Sequence, residues 1–233
     1  TILGEGGMGT VYLAEQRFPQ REVAVKRMRN PTPRNCWILL QEAMITGMLE
    51  HPGIIPIHQI SRSGDEIEVV MKRIQGRTFT SYIYDPPRSD VDWCLEILIQ
   101  VCNAVEYAHS KNVIHRDIKS DNIMIGEFGE VYLLDWGIAI HNDNGQINFP
   151  KAIVGTPALM APEMLSGDPY DVDSRTDIYL LGAVLHEILL RKSLHPSGEL
   201  DEIRSHILQS DPVQFSVETP LQLQIIAHRA CAA

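Results

Sequence analysis

Residues 22–29 read EVAVKRMR, and a period of two along this stretch places Ala24 and Lys26 on one face and Val23 and Val25 on the other. An alternation of period two predicts a β-strand. Similar runs between turn residues predict further strands, and one stretch with apolar residues at helical spacing predicts a helix. These are strands over residues 10–14, 54–61 and 66–72 and a helix over residues 35–49. The first part of the chain is therefore expected to be rich in β-structure.

Spacing typical of helices takes over in the second part of the chain. Residues 89–109, for example, place their apolar side chains on one helix face. Helices are predicted over residues 79–84, 89–109, 175–190, 199–209 and 221–232. Strand character is lost over residues 72–76, which we interpret as a hinge. We therefore predict one α+β domain over residues 1–233, with a small β-rich lobe (1–71) and a larger helical lobe (77–233).

Two short apolar runs, residues 123–125 and 131–134, interrupt the helical part and flank a turn that contains glycine. This pattern predicts a hairpin, which would bring the loop before it and the loop after it to the same end. The side chains gathered there would be those of Asp117, Lys119, Asn122 and Asp135. Oxygen ligands beside an ammonium suit Mg²⁺ and phosphate. Taken alone, the same residues also fit a polar loop beside a solvated turn.

An irregular segment is expected from residue 138 to residue 163, and its part HNDNGQINFPK (141–151) is polar and turn-rich, as expected of a mobile surface loop. Asp177 lies inside the most apolar predicted helix. A buried carboxylate needs hydrogen-bond partners, and the backbone of residues 115–116 is the natural one.

Composition narrows the class of protein. A hydrophobic content of 44% and a charged content of 21% are those of a soluble globular protein. The net charge of −10 and the lack of a basic run argue against nucleic acid as a partner. No apolar run suits a membrane span and no signal peptide is visible, so we expect a cytoplasmic domain. The four cysteines show no CxxC pairing and are expected to be free, mostly buried thiols.

Residues 4–9 read GEGGMG, a G-x-G-x-x-G pattern. A dinucleotide-binding turn would lead into a helix, whereas residues 10–14 read as a strand, and no Gly-Lys-Ser/Thr follows. The pattern fits a flap whose N–H groups lie over phosphates, or equally an ordinary glycine-rich hairpin. Lys26 would face the same cleft, with Glu42 of the predicted helix as its carboxylate partner. An exposed strand lysine and a solvated glutamate would explain these two residues as well.

The glycine loop, Lys26, Glu42, HRDIKSDN, DWG and APE follow one another in the order of the protein-kinase signature set. The chain therefore resembles a protein kinase over nearly its whole length. The lysine in HRDIKSDN is similar to that of serine/threonine kinases, and the glycine loop resembles bacterial Hanks-type (eukaryotic-like) kinases. The resemblance implies a two-lobed protein-kinase fold. It also implies an ATP-dependent enzyme that transfers the γ-phosphoryl group of Mg-ATP to Ser and Thr hydroxyls of proteins, itself included.

The resemblance also implies roles for individual residues. The catalytic positions are Lys26, Glu42, Asp117 and Lys119, with Asn122 and Asp135 as ligands of Mg²⁺ or, alternatively, Mn²⁺. Lys26 would hold the α- and β-phosphates and pair with Glu42. Asp117 would receive the proton of the substrate hydroxyl, and Lys119 would neutralise the γ-phosphoryl group.

The expected nucleotide contacts come from the glycine loop, the sheet, the hinge and the hairpin. They are Ile2, Leu3, Gly4, Glu5, Gly6, Gly7, Met8, Gly9, Val11, Ala24, Lys26, Met71, Lys72, Ile74 and Met124. By resemblance, Val11, Ala24 and Met124 would enclose the adenine and Met71 would be the gatekeeper. Lys72 and Ile74 would offer backbone groups to the adenine edge.

The chain departs from the kinase pattern at two places. Trp136 replaces the phenylalanine of D-F-G, and its indole N–H needs a partner when buried. Residues 138–155 contain no Ser, Thr or Tyr, so Arg116 has no phosphorylated residue of that segment to bind. We expect that phosphorylation within this segment does not switch the kinase. Asp143 is a candidate source of fixed negative charge, and Thr156 is expected to contact Asp117 and Lys119.

Two other functions stay open at this point. A pseudokinase scaffold would bind partners without transfer, but all four residues that such proteins lose are present (Lys26, Asp117, Asn122 and Asp135). A small-molecule phosphotransferase of similar fold would lack the peptide platform suggested by residues 155–157 and 161–163. Dimerisation has no residue pattern in its support.

We expect the chain to be a fragment, truncated at both ends, because it starts without Met and because the kinase pattern continues beyond residue 233. In kinases the glutamate of APE pairs with an arginine of that later part. Glu163 is therefore expected to be a buried carboxylate without its partner, and the fragment to be less stable than an extended domain.

Overall fold

Antiparallel strands build the first lobe. The computed structural model describes residues 1–6, 9–64, 66–85, 87, 89–143, 146–147, 149–196, 200–209, 214–217 and 219–232. The strands are β1 (Ile2–Glu5), β2 (Gly9–Gln16), β3 (Arg21–Met28), β4 (Ile57–Ser63) and β5 (Glu66–Lys72), in the sheet order β1-β2-β3-β5-β4. β2 pairs with β3 so that Val11 lies opposite Lys26. The glycine-rich segment connects β1 to β2, as the sequence predicts.

Helix α1 (Pro33–Met48) covers one face of this sheet. The Thr32 hydroxyl caps the helix by accepting a hydrogen bond from the Asn35 N–H at 3.2 Å. Pro33 suits the first turn because no partner is needed there for a backbone N–H. The helix packs on the sheet through Cys36, Leu39, Ala43, Ile67 and Val69. Glu42 lies beside this apolar face and is thereby held close to the sheet.

Helices dominate the second part of the chain. They are α2 (Phe79–Tyr84), α3 (Val91–Ser110), α4 (Ser174–Leu190), α5 (Leu200–Gln209) and α6 (Leu221–Ala230), close to their predicted positions. Apolar residues of α3 and α4 belong to the larger hydrophobic core, and α4 is buried on nearly all sides. Among the described residues, no helix combines the length and the apolarity that crossing a membrane requires.

Short strands complete the fold. They are β6 (Gly76–Thr78), β7 (Val113–Ile114), β8 (Ile123–Gly126), β9 (Val131–Leu133), β10 (Ile140–Asp143) and β11 (Gln146–Ile147). β8 and β9 form the predicted hairpin, with Ile123 opposite Leu133 and Gly129 at φ +84° in the turn. β6 joins the other edge of β8. The loop that contains Asp117 and the segment that contains Asp135 therefore meet at one end of the hairpin.

The segment after Asp135 is more regular than its sequence suggests. β10 pairs with β7 and with β11, whereas an irregular stretch was predicted. Ile140 lies opposite Ile114, and both Ala139 and Ile140 are buried. Strands this short leave too few residues for an alternation to be visible in the sequence.

The connection between the lobes is shorter, in residues, than the predicted hinge. Lys72 still belongs to β5 and Gly76 already belongs to β6, so the irregular part of the predicted hinge is residues 73–75. A Cβ atom on Gly76 would lie only 2.0 Å from the Ile125 carbonyl oxygen. Glycine is therefore required where the connection meets the hairpin.

Asp177, at the start of α4, anchors the loop that contains Asp117. Its side chain is fully buried and accepts hydrogen bonds from the backbone N–H groups of His115 and Arg116, both at 2.9 Å. Nε2 of His109 lies 2.8 Å from the same carboxylate. The predicted partnership between Asp177 and this backbone is therefore confirmed, and it fixes the residue that precedes Asp117.

The four cysteines form no disulfide bond with one another, and one of them is not buried as expected. Cys36 and Cys94 are buried and Cys231 is partly buried, whereas Cys102 is exposed. The expectation of buried thiols is wrong for Cys102 because it lies on the outer face of α3.

Asp177→Ala is expected to lower the free energy of unfolding by about 3 kcal/mol, because two buried backbone donors would lose their acceptor. Urea unfolding measures this loss. Asp177→Asn should lose less, since the amide keeps one acceptor oxygen. Asp171→Asn, at an exposed aspartate six positions earlier, is the control and should behave as wild type. An equal loss in Asp177→Ala and Asp171→Asn would contradict this anchoring role.

Candidate active site

A cavity of about 630 Å³ lies between the first lobe and the β8–β9 hairpin, a volume that suits a nucleotide-sized ligand. The predicted nucleotide contacts that line it are Leu3, Gly4, Glu5, Gly6, Gly9, Val11, Ala24, Lys26, Met71, Lys72, Ile74 and Met124. The structure does not place Ile2 on the cavity wall: its side chain is exposed, since side chains alternate along β1 and Leu3 faces the cavity. Gly7 and Met8 lie outside the described residues.

The cavity has an apolar end. Val11 and Ala24 line it from the sheet, and Met124 lines it from the hairpin. Met71 is opposite Ala24 in the pairing of β3 with β5 and closes the back. Apolar walls above and below a flat space are suited to an aromatic ring such as a nucleobase.

The Lys72 side chain is turned toward the hairpin. Its ammonium donates a hydrogen bond to the Tyr132 hydroxyl and lies 3.9 Å from a Glu130 carboxylate oxygen. This contact joins the end of β5 to β9, and so links the two lobes beside the cavity. The sequence analysis did not find Tyr132, because one tyrosine in a three-residue strand has no pattern that points to a partner.

Lys26 and Glu42 form an ion pair across the sheet and α1. The ammonium lies 2.6 and 2.8 Å from the two carboxylate oxygens, and the side chains are 18% and 15% exposed. Burial lowers the pKa of Lys26, but attraction to Glu42 and to Asp135 outweighs it, so the pKa is raised above its usual value. Lys26 therefore carries its charge at neutral pH, at the polar end of the cavity.

Asp117 is held by three neighbouring side chains. Lys119 Nζ donates to one carboxylate oxygen at 2.8 Å, and the Thr156 hydroxyl donates to the other at 2.8 Å. Lys119 also donates to the Thr156 hydroxyl at 2.7 Å. The Asn122 amide donates to the Asp117 carboxylate at 3.0 Å and to its backbone carbonyl at 2.8 Å. The predicted contacts of Thr156 are thus present, and the carboxylate has a fixed orientation.

Asp135 and Asn122 offer oxygen ligands on the same side of the cavity. Asp135 has φ +60°, and one of its carboxylate oxygens is 4.0 Å from Lys26 Nζ. The Asn122 NH₂ group is engaged by Asp117, which leaves its amide oxygen for another partner. No cluster of three or more His, Cys, Asp or Glu that could hold a metal occurs in the described part of the chain. Two oxygen ligands fit Mg²⁺, which usually completes its coordination with water and phosphate oxygens.

Trp136 packs directly beneath Asp135. It is 1% exposed, its indole N–H donates to the Leu133 carbonyl at 3.4 Å, and its ring centroid lies 4.5 Å from that of His115. The indole N–H therefore has the partner that a buried tryptophan needs. The replacement of phenylalanine leaves Asp135 on the cavity wall.

Glu163 is less buried than expected. It is only partly buried, and the Thr176 hydroxyl at the start of α4 donates a hydrogen bond to it. That it lacks the arginine partner implied by the resemblance stays a prediction. The candidate charge near Arg116, the side chain of Asp143, lies outside the described residues.

The two lobes, the Lys26–Glu42 pair and the Asp117 loop define a protein kinase domain. The protein kinase domain family matches residues 1–228, so the chain belongs to this family. Members of this family are transferases that use ATP and a divalent metal ion.

Similar proteins are bacterial serine/threonine kinases. The chain is 36% identical over 246 residues to serine/threonine-protein kinase PknD of Protochlamydia amoebophila, over 91% of this chain and 25% of that protein. It is 34% identical over 269 residues to PknD of Chlamydia trachomatis serovar D, over 99% of this chain and 29% of that protein. The corresponding protein of Chlamydia abortus is 33% identical over 264 residues, with 99% and 28% covered. The chain thus spans less than a third of the length of these relatives.

These matches confirm the resemblance to a bacterial Hanks-type serine/threonine kinase domain. The relatives are named as kinases, so they lend no support to the pseudokinase alternative.

Glu42→Gln is expected to weaken the binding of Mg-ADP about tenfold, because Lys26 would lose the charge that holds it at the cavity. Isothermal titration calorimetry measures the dissociation constant. Glu68→Gln is the matched control, since Glu68 pairs with Arg27 on the same sheet outside the cavity. Equal effects of the two substitutions would show that the ion pair with Lys26 has no special part in nucleotide binding.

Proposed function

We propose that this domain transfers the γ-phosphoryl group of ATP to Ser and Thr hydroxyls of proteins. The proposal rests on one observation: two pairs of charged side chains lie in the same cavity. Lys26 and Glu42 lie where the phosphates of a bound nucleotide are expected, and Asp117 and Lys119 lie beside them. Phosphoryl transfer depends on such placement and charge neutralisation more than on covalent chemistry.

Asp117 is the proposed base. In the reaction, the substrate hydroxyl oxygen forms a bond to the γ-phosphorus while the bond from that phosphorus to the bridging oxygen of ADP breaks. The hydroxyl proton passes to the Asp117 carboxylate, which is oriented by Lys119, Thr156 and Asn122. Lys119 places a positive charge beside the oxygens of the group in transfer.

Asn122 and Asp135 are the proposed magnesium ligands, and Lys26 is the proposed ligand of the α- and β-phosphates. A divalent ion bound there would neutralise phosphate charge and polarise the transferring group. Hard carboxylate and amide oxygens favour Mg²⁺, with Mn²⁺ as an alternative. The charged state of Lys26, supported by Glu42, suits it to hold phosphates.

The proposed substrates are proteins. Thr156 donates a hydrogen bond to the Asp117 carboxylate, so the segment that continues to Ala161-Pro162-Glu163 begins directly beside the proposed base. An extended peptide bound along the start of this segment would have its hydroxyl near Asp117. The printed names of the relatives, serine/threonine-protein kinase, support Ser and Thr as acceptors. A cytoplasmic site of action is proposed from the need for ATP and from cysteines that form no disulfide bond.

Asp117→Asn is expected to lower kcat at least ~100-fold, because the amide cannot accept the hydroxyl proton. Transfer of labelled γ-phosphate to a generic protein substrate measures the rate. Binding of Mg-ADP should stay unchanged, which separates a loss of chemistry from a loss of folding. Asp171→Asn serves as the exposed control. Undiminished transfer by the Asp117 variant would refute its role as the base.

Phosphate acquired during incubation with Mg-ATP is expected at Thr156 or outside residues 138–155, because that segment contains no Ser, Thr or Tyr. Phosphopeptide mapping by mass spectrometry locates the modified residues. Asp117→Asn, incubated in the same way, should acquire none. An activating phosphate within residues 138–155, on His141 for instance, would contradict this expectation.

A further inference from the structure

The Arg116 side chain is a buried cation in an unusual setting. Arg116 is 3% exposed and has φ +68°, with its backbone N–H bound to Asp177. Its Nε donates to the Ile138 carbonyl at 2.7 Å. Its Nη2 atom is buried and has no hydrogen-bond partner among the described residues. A buried guanidinium with a single neutral hydrogen-bond acceptor needs another source of stabilisation.

The ring of Phe149 supplies that stabilisation. Arg116 Cζ lies 4.1 Å from the centre of the Phe149 ring, well within the range of a cation–π interaction. No carboxylate of the described residues forms an ion pair with Arg116. Burial lowers the pKa of Arg116 to about 10, so the side chain is still charged at neutral pH. The charge of the Asp177 carboxylate opposes this lowering, and the electron-rich face of Phe149 is the group stacked on the guanidinium itself.

Arg116 contacts the segment after Asp135 at widely separated points. The Arg116 side chain contacts Ile138 at its beginning and Phe149 beyond β11. A Cβ atom on Gly155 would lie 3.4 Å from the Arg116 backbone carbonyl, so Gly155 is near the Arg116 backbone and not its side chain. The side chain therefore connects the Ile138 and Phe149 parts of the segment to the loop that carries Asp117. The Gly155 end leads directly into Thr156, which donates to the Asp117 carboxylate.

We propose that Phe149 positions this segment by stacking on Arg116, in the place where a phosphorylated residue would otherwise neutralise the arginine. Residues 138–155 contain no Ser, Thr or Tyr, so a neutral aromatic face does the work of an added charge. The unmodified chain therefore holds the segment in this arrangement without phosphorylation. Phe149 is a positioning residue: it acts on Asp117 through Arg116 and Thr156. The inference rests on the proposed function because it assigns the base to Asp117.

Trypsin cleavage can report whether the segment stays in place. Lys151 is its only Lys or Arg, so trypsin can cut the segment only after this residue. Opening of the segment should increase the rate of that cleavage, because proteolysis needs local unfolding of the backbone. This measurement does not depend on catalysis.

The test compares Phe149→Leu, which keeps an apolar side chain but loses the ring, with Phe149→Trp, which keeps an aromatic face. For Phe149→Leu we expect about tenfold faster cleavage after Lys151, about tenfold lower kcat and an unchanged KM for ATP. Phe149→Trp should match wild type in both readouts. Phe128→Leu is the matched control, since Phe128 is exposed in the hairpin turn, away from Arg116.

Two results would overturn the proposal. One is a Phe149→Leu variant with wild-type cleavage and kcat, and the other is an equal loss in the Leu and Trp variants. In an Arg116→Met background, Phe149→Leu should add nothing further, because the two residues act as one unit. Asp117→Asn should lower transfer at least ~100-fold without changing the cleavage rate. Undiminished transfer by Asp117→Asn would count against the proposed base, while the trypsin comparison would still decide the role of Phe149.

Discussion

The active-site region depends on the hydrogen bonds that one buried carboxylate, that of Asp177, accepts. It accepts hydrogen bonds from two consecutive backbone N–H groups, at His115 and Arg116, and so holds Arg116 in a left-handed conformation that costs energy for any residue other than glycine. That conformation sends Arg116 toward the Ile138 carbonyl and Asp117 toward Lys119 and Thr156. Asp177, at the start of α4, thus directs two neighbouring side chains to different places. Arg116 reaches the segment after Asp135, and Asp117 takes the position of the proposed base.

The hairpin of β8 and β9 connects this anchor to the rest of the cavity. Asn122 directly precedes β8 and Asp135 follows shortly after β9, so the two proposed metal ligands are positioned by the same pair of strands. On its other edge the hairpin meets the connection between the lobes, where Gly76 lies against the Ile125 carbonyl and Lys72 reaches Tyr132. The apolar and polar ends of the cavity therefore share one rigid support, although their residues are distant in the chain.

Much of this arrangement could be predicted from the sequence, because the signals were of a kind that sequence carries. Helical spacing located the long helices, alternation located the strands of the first sheet, and the motif order brought Lys26, Glu42, Asp117 and Asp135 together. The buried position of Asp177 could be inferred from a carboxylate within an apolar helix. The features that could not be predicted depend on contacts between individual residues. They are the pairing of β10 with β7, the hydrogen bond from Lys72 to Tyr132, and the stacking of Phe149 on Arg116. No periodicity or motif marks such contacts, since each arises only when the tertiary fold has formed.

The replacement of phenylalanine by Trp136 has a practical consequence. Its indole is fully enclosed, next to His115 and one residue from Asp135, whereas Trp37 is partly exposed on α1 and Trp93 lies on α3 against Phe79 and Tyr82. The emission of an indole shifts to longer wavelength when water reaches it. The chain therefore carries an intrinsic fluorescent reporter, without any introduced label, next to Asp135, the proposed metal ligand.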